Sequence, residues 1–172
     1  MRLFAAIVPP DDVLDDLDSE LSRLGLHETD EYSGLRWTPR ERRHLTVAFY
    51  GRDDPYSRAE LLAERLSGQQ GPRLSIEGAG TFSGVLWAGV AGDLGALAAA
   101  VGAADADRPY RPHVTLARWR HPGVHRAARR WARALAEYRG PGWQAREVVL
   151  MRSEPGAGGP RYTVRARFAL LG

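Results

Sequence analysis

A chain of 172 residues, 44% hydrophobic and 26% charged, has the composition of an ordinary globular protein, one domain or two intimate lobes that bury about 70% of the unfolded surface. It contains no cysteine, which excludes disulfides, thiolate metal ligands and thiol catalysis. No apolar run approaches the ~20 residues of a transmembrane helix. The opening run Met1–Val8 ends at Pro9-Pro10 in place of a signal-peptide cleavage site, so the expectation is a cytoplasmic chain without a membrane partner. The formal charge is +3 and every basic residue is arginine. Six acids crowd Asp11 to Glu20, whereas Arg108 to Arg133 holds eight arginines and no carboxylate. Such runs are usually solvated faces, yet the second one surrounds a motif described below and fits a phosphate-bearing partner.

In chain order, Arg2–Val8 reads as a strand. Val13, Leu14, Leu17, Leu21 and Leu24 then fall at helical spacing, with acids opposite. His27–Arg43 reads as a loop with a short strand at Leu35–Trp37. His44–Tyr50 is a strand, Asp53-Asp54-Pro55 opens a helix that Gly68 closes, and Pro72–Glu77 is extended. The pattern then recurs. Val85–Val90 is a strand, Asp93–Ala103 a helix, Asp105–Pro112 a loop, His113–Trp119 a strand, Val124–Tyr138 a helix and Trp143–Arg152 a strand. Gly156–Pro160 supplies a turn into a final alternating strand, Tyr162–Leu170, which should form a hairpin with the strand before it. The order strand–helix–strand–helix–strand thus occurs twice, which predicts a duplicated β-α-β-α-β topology with no internal linker.

Each half carries one His-x-Thr. In His44-Leu45-Thr46-Val47-Ala48-Phe49, alternation puts His44, Thr46 and Ala48 on one face and Leu45, Val47 and Phe49 on the other. In Arg111-Pro112-His113-Val114-Thr115-Leu116-Ala117-Arg118 it groups His113, Thr115 and Ala117 against Val114 and Leu116. The two histidines lie 69 residues apart. Each imidazole stands roughly 6–7 Å along the strand from its threonine hydroxyl. Two such faces suggest one cleft lined from both sides. Facing imidazoles can accept and donate protons near neutral pH. Threonine hydroxyls can donate to non-bridging oxygens, and arginine suits a phosphate. Together these describe metal-free phosphoryl transfer or phosphodiester hydrolysis. Two histidines without a nearby acid fall short of a metal-ligand set, no serine sits in a nucleophile elbow, and Gly156–Gly159 lacks the lysine and helix of a phosphate loop.

The paired His44-Leu45-Thr46-Val47 and His113-Val114-Thr115-Leu116 resemble the signatures of the two-histidine phosphoesterase superfamily. The nearest likeness is to the bacterial RNA 2′,3′-cyclic phosphodiesterases, also called 2′-5′ RNA ligases. Arg2–Ile7, His44–Gly51, Val85–Val90, Arg111–Arg118 and Gly159–Tyr162 all take part, and Tyr50 departs from the usual aliphatic residue. The resemblance implies an α+β fold over residues 1–172: a single bilobal domain of two pseudo-symmetric lobes, each an antiparallel sheet with helices on the outside, around a central groove. It implies a monomer acting on RNA with a 2′,3′-cyclic phosphate end, or on a nucleotide, and leaving a 2′-phosphate without metal or cofactor. His113 would be the base and His44 the acid; Thr46, Thr115 and Arg118 would hold the phosphate, and Phe49 would contact the terminal base. Phe49's own alternation points the other way, toward the core. Arg111 is a further candidate for substrate binding. Arg40, Arg42 and Arg43 read as solvated loop charges, His27, His121 and His125 as surface residues, and Trp87, Trp119, Trp131 and Trp143 as structural. The same residues would serve 2′-5′ ligation or a small cyclic nucleotide, and a non-catalytic nucleotide- or RNA-binding module is the remaining alternative.

Overall fold

The computed structural model describes residues 2–25, 34–102 and 109–172. His27, Arg108 and the start of the Asp105–Pro112 loop lie outside them. The strands are β1 (Arg2–Ile7), β2 (Arg36–Trp37), β3 (Leu45–Gly51), β4 (Arg73–Phe82), β5 (Val85–Ala91), β6 (His113–Arg118), β7 (Trp143–Gln144), β8 (Glu147–Glu154) and β9 (Arg161–Ala169). The α-helices are α1 (Asp11–Arg23), α2 (Pro55–Leu66), α3 (Gly95–Val101) and α4 (His125–Ala134). The fold is α+β. Its strands form one curled sheet in the order β7-β4-β5-β6-β3-β1-β8-β9, with β2 on β6, and every pairing between these strands is antiparallel.

The two motif strands meet at the centre, β3 against β6, through the single bridge Leu45↔Val114. On one side lie β1, β8 and β9, and on the other β5, β4 and β7. The duplicated units are therefore not the lobes themselves. The first unit sends its last strand, β4, to pair with β5 of the second, and the second sends β8 back to pair with β1. Each lobe is closed by a strand borrowed from the other repeat.

Several boundaries differ from the sequence expectation. The Trp143–Arg152 run is two strands on different lobes, because Trp143 pairs with Leu74 of β4 while Glu147–Glu154 pairs with β1 and β9. β4 runs on to Phe82 and turns tightly through Ser83-Gly84 into β5, where Gly84 takes φ 74°, a left-handed conformation that suits glycine. A bulge at Glu77-Gly78 breaks the alternation of β4 and hides this length from a period-two reading.

The core lies between the sheet and its helices. Val13, Leu14, Leu17 and Leu21 of α1 are buried, and Asp11 and Asp12 in its first turn favour the positive end of the helix dipole. In α2, the Asp54 side chain caps the helix by accepting from the Ser57 amide at 2.8 Å, and Pro55 opens the first turn. Leu45, Val47, Val114 and Leu116 are at most 1% exposed and anchor both motif strands from behind. Burying each such side chain is worth about 1.5–3 kcal/mol.

The acids of α1 have a specific task. Arg43, immediately before His44, is 6% exposed and its guanidinium donates to Asp18. Arg40 lies 3.0 Å from the same carboxylate and 2.8 Å from Asp15. Arg42 donates to the Gly158 carbonyl at 2.8 Å, tying the β8–β9 turn to this loop. The three arginines that read as solvated charges are instead fasteners that fix the approach to β3.

Candidate active site

Both motif strands carry the same irregularity. In β3 the register against β1 slips between Ala5↔Ala48 and Ala6↔Thr46, so Val47 is an extra residue. In β6 the register against β5 slips between Leu86↔Ala117 and Trp87↔Thr115, so Leu116 is extra. A bulge of this kind turns the side chains that follow it to the opposite face until the next irregularity, which in β3 comes at Tyr50. Ala48 and Ala117 therefore join the core at 5% and 0% exposure, whereas alternation had set them beside the histidines. One residue later, Phe49 and Arg118 come round to the groove. Phe49 is 75% exposed with its ring 5.9 Å from Phe4, and Arg118 is exposed with its charge felt at His44. The strict alternation that aimed Phe49 at the core is overturned by this bulge.

At the bridge, Leu45 faces Val114, so the antiparallel register carried one step each way sets His44 beside Thr115 and Thr46 beside His113. The histidines are then diagonal neighbours across the seam, a relation that places two residues about 7–8 Å apart with their Cβ atoms somewhat closer. Each imidazole is oriented the same way. Nδ1 of His44 lies 2.8 Å from the Arg42 carbonyl, and Nδ1 of His113 lies 2.8 Å from the Arg111 carbonyl. A carbonyl only accepts, so Nδ1 carries a proton in both rings and Nε2 is the nitrogen left to exchange one. Nε2 of His44 sits 3.0 Å from the Thr46 hydroxyl. That hydroxyl donates to the neutral ring and accepts from the protonated one.

His44 stacks on Phe4 at 5.0 Å and meets the edge of Tyr162 at 5.2 Å. Burial pushes its pKa below the ordinary imidazole value, and the positive charges of Arg118 and His113 push the same way against the Arg42 carbonyl. The folded state thus binds fewer protons at this ring than the unfolded chain does. Its contribution to stability is complete above the unfolded value near 6.5 and is lost as pH falls through the lower folded value. Between roughly pH 7.5 and pH 5, the melting temperature of the wild type should fall further than that of His44→Gln. Parallel declines in the two proteins would remove this ring from the acid response.

Arg111 is exposed beside His113. Next to it, Phe82, Trp87, Tyr110, Arg111, His113 and Glu77 line part of a cleft of about 280 Å³. The Phe82 ring lies 5.2 Å from His113 and 5.3 Å from Trp87. Trp87, read as structural, thus lines the working face. Its shared parity with Gly89, opposite Leu86 and Ala88, was the available sign. Tyr162 reaches the groove because β9 also bulges, at Arg165 between Leu150↔Ala166 and Met151↔Val164. The Tyr110 hydroxyl donates to the Thr46 carbonyl at 2.8 Å and joins the two motif approaches, and burial raises its pKa. His121 and His125 lie exposed, away from this groove; Trp119 and Trp143 are buried, and Trp37 packs on Trp131 at 5.0 Å. Among the described residues, no group of three or more histidines or carboxylates is placed to hold a metal ion.

The chain is similar to known proteins along nearly its whole length. Residues 4–157 match the model of the 2′-5′ RNA ligase superfamily. The RNA 2′,3′-cyclic phosphodiesterase of Thermus thermophilus is 28% identical, the alignment covering 100% of this chain and 91% of the relative. The crystal structure of a Thermus thermophilus protein, TT0787, superposes with a TM-score of 0.74 at 27% identity over 100% of this chain and 99% of that one. Escherichia coli LigT complexed with ATP superposes with a TM-score of 0.72 at 28% identity over 99% and 98% of the two chains. With the matched model spanning both His-x-Thr strands and the curled sheet shared along the whole chain, this protein belongs to the 2′-5′ RNA ligase superfamily of phosphoesterases.

Proposed function

We propose that the protein hydrolyses RNA 2′,3′-cyclic phosphate ends to 2′-phosphomonoesters without a metal ion. The observation that carries this reading is the diagonal pairing of two His-x-Thr units at one seam, with both Nδ1 atoms held by backbone carbonyls and Nε2 of His44 against its own Thr46 hydroxyl. Water attacks phosphorus and gives its proton to Nε2 of His113. The P–O3′ bond breaks, and Nε2–H of His44 protonates the departing O3′. The substrate's negative charge offsets Arg118, so that the His44 ring, whose pKa burial lowers, holds its proton until transfer. As Nε2–H of His44 turns from Thr46 to O3′, the Thr46 hydroxyl is released to donate to a phosphate oxygen; Thr115 and Arg118 serve the others. Phe49, lying over Phe4, offers a shelf for the terminal base. The named activity of the Thermus relative, and the ATP, NADP+ and 3′-AMP complexes of E. coli LigT, support nucleotide chemistry at this groove.

The test is incubation with an oligoribonucleotide ending in a 2′,3′-cyclic phosphate, with and without EDTA, followed by assignment of the product phosphate by ³¹P NMR. A 2′-phosphate formed equally in both reactions is expected. A 3′-phosphate, an intact cyclic end or loss of turnover on chelation would each sink the proposal.

A further inference from the structure

We propose that the cleft beside His113 is a second nucleobase subsite and that Glu77 makes it select guanine. This rests on the cyclic phosphodiesterase reading above and names more of the substrate. The Phe4, Phe49 and Tyr162 rings lie with His44 on the β1 side of the seam, while Phe82 and Trp87 lie with His113 on the β5 side. One base cannot stack on both groups while the phosphate sits between the two imidazoles. A second stacking surface therefore implies a second nucleoside.

The surface is built for a flat ligand. The Phe82 and Trp87 rings pack against each other 5.3 Å apart and inclined by 34°, and Phe82 is left 37% exposed, so its ring offers an aromatic face at the cleft. Trp87 lies flat on the sheet because its cross-strand partner is Gly80, where a Cβ would come within 2.3 Å of the ring. Base-on-aromatic stacking on such a face contributes about 1–3 kcal/mol per base.

Polar groups at the rim set the choice of base. The bulge at Glu77-Gly78 aims Glu77 into this cleft. Its carboxylate accepts from Ser75 Oγ at 3.2 Å and from Arg139 at 3.5 Å, which leaves part of its roughly four acceptor positions open. A carboxylate repels phosphate, so at this end the cleft wants donors. Guanine presents N1–H and the N2 amino group side by side and can meet both carboxylate oxygens. Adenine and cytosine offer an amino group beside an acceptor nitrogen, and uracil an imide N–H between two carbonyls. The volume of about 280 Å³ is at the small end of ligand pockets, typically about 300–1,000 Å³, and suits one nucleoside.

The test measures kcat/KM for mononucleotide 2′,3′-cyclic phosphates and for dinucleotides with each base varied in turn at either position. Dinucleotides should exceed mononucleotides, and guanine at one of the two positions should be preferred roughly tenfold to hundredfold. In Glu77→Gln that preference should shrink to within about threefold, and Phe82→Ala should raise KM more than it lowers kcat. Hydrolysis without base preference at either position, or a preference that survives Glu77→Gln, overturns the subsite and leaves the cyclic phosphodiesterase reading intact. Should no cyclic phosphate be turned over, that reading fails instead. Calorimetric affinities for guanine- and adenine-containing dinucleotides in wild type and Glu77→Gln then decide the subsite by themselves.

Discussion

Alanine at His44 or at His113 should each lower turnover of an RNA 2′,3′-cyclic phosphate by about 10²–10⁴-fold, the range lost with a positioned acid or base. The losses should not multiply in the double variant, because in the proposed mechanism attack on phosphorus and departure of O3′ belong to one coordinated displacement. Neither ring is a keystone of the core. His44 and His113 are half-buried at the groove, whereas the apolar residues behind them, Leu45 and Val114, are fully buried. Circular dichroism and melting temperature near neutral pH should therefore stay close to wild type. The proton bookkeeping adds a sharper check. The alkaline limb of kcat/KM reports the histidine pair in the free enzyme, and on the proposed mechanism the same limb of kcat should lie at higher pH, because bound phosphate offsets the positive charge that lowers His44's affinity for its proton. Wild-type kcat in either single variant would end the two-histidine mechanism. Coincident alkaline limbs in kcat and kcat/KM would mean that bound phosphate does not strengthen the pair's hold on its proton.

The largest stability effect is expected at Asp18, well away from the reaction. Its carboxylate receives Arg43, 6% exposed, and Arg40 at 3.0 Å. Asp18→Ala leaves the Arg43 guanidinium buried without its counter-charge, next to an Nε that already lacks a hydrogen-bond partner. A fully buried pair broken on one side costs about 3–5 kcal/mol. Asp18 is itself 37% exposed, so water reaches the site and about 1–3 kcal/mol is the expected loss. Urea denaturation of the two proteins measures it directly. Arg43 immediately precedes His44, and the Arg42 carbonyl holds His44 Nδ1. The variant should accordingly lose kcat with little change in KM, since the acid is misplaced and the phosphate ligands are not. A loss below about 0.3 kcal/mol would mean that solvent already compensates Arg43.

Much of this molecule was readable because its determinants are local. The His-x-Thr pairs announce themselves by period two, the apolar residues between them fix which face is buried, and the recurrence of strand–helix–strand–helix–strand exposes the duplication. Helices α1 and α2 follow from apolar spacing and from Asp54-Pro55. What failed to show are effects set by a partner elsewhere in the chain. Asp18 and Arg43 are 25 positions apart and nothing in either neighbourhood says that they meet. Trp143 and Glu147 are almost adjacent in sequence yet belong to sheets' ends on different lobes, because one pairs with β4 and the other with β1.

The amino-acid order alone therefore determines which residues are the candidates for chemistry and that they come in two matching copies. Only the tertiary structure decides which of their neighbours share the groove. A bulge is a mismatch between two paired strands, so its position depends on both of them and on neither one's own alternation. That is why Phe49 and Arg118 turn toward the histidines while Ala48 and Ala117 turn away.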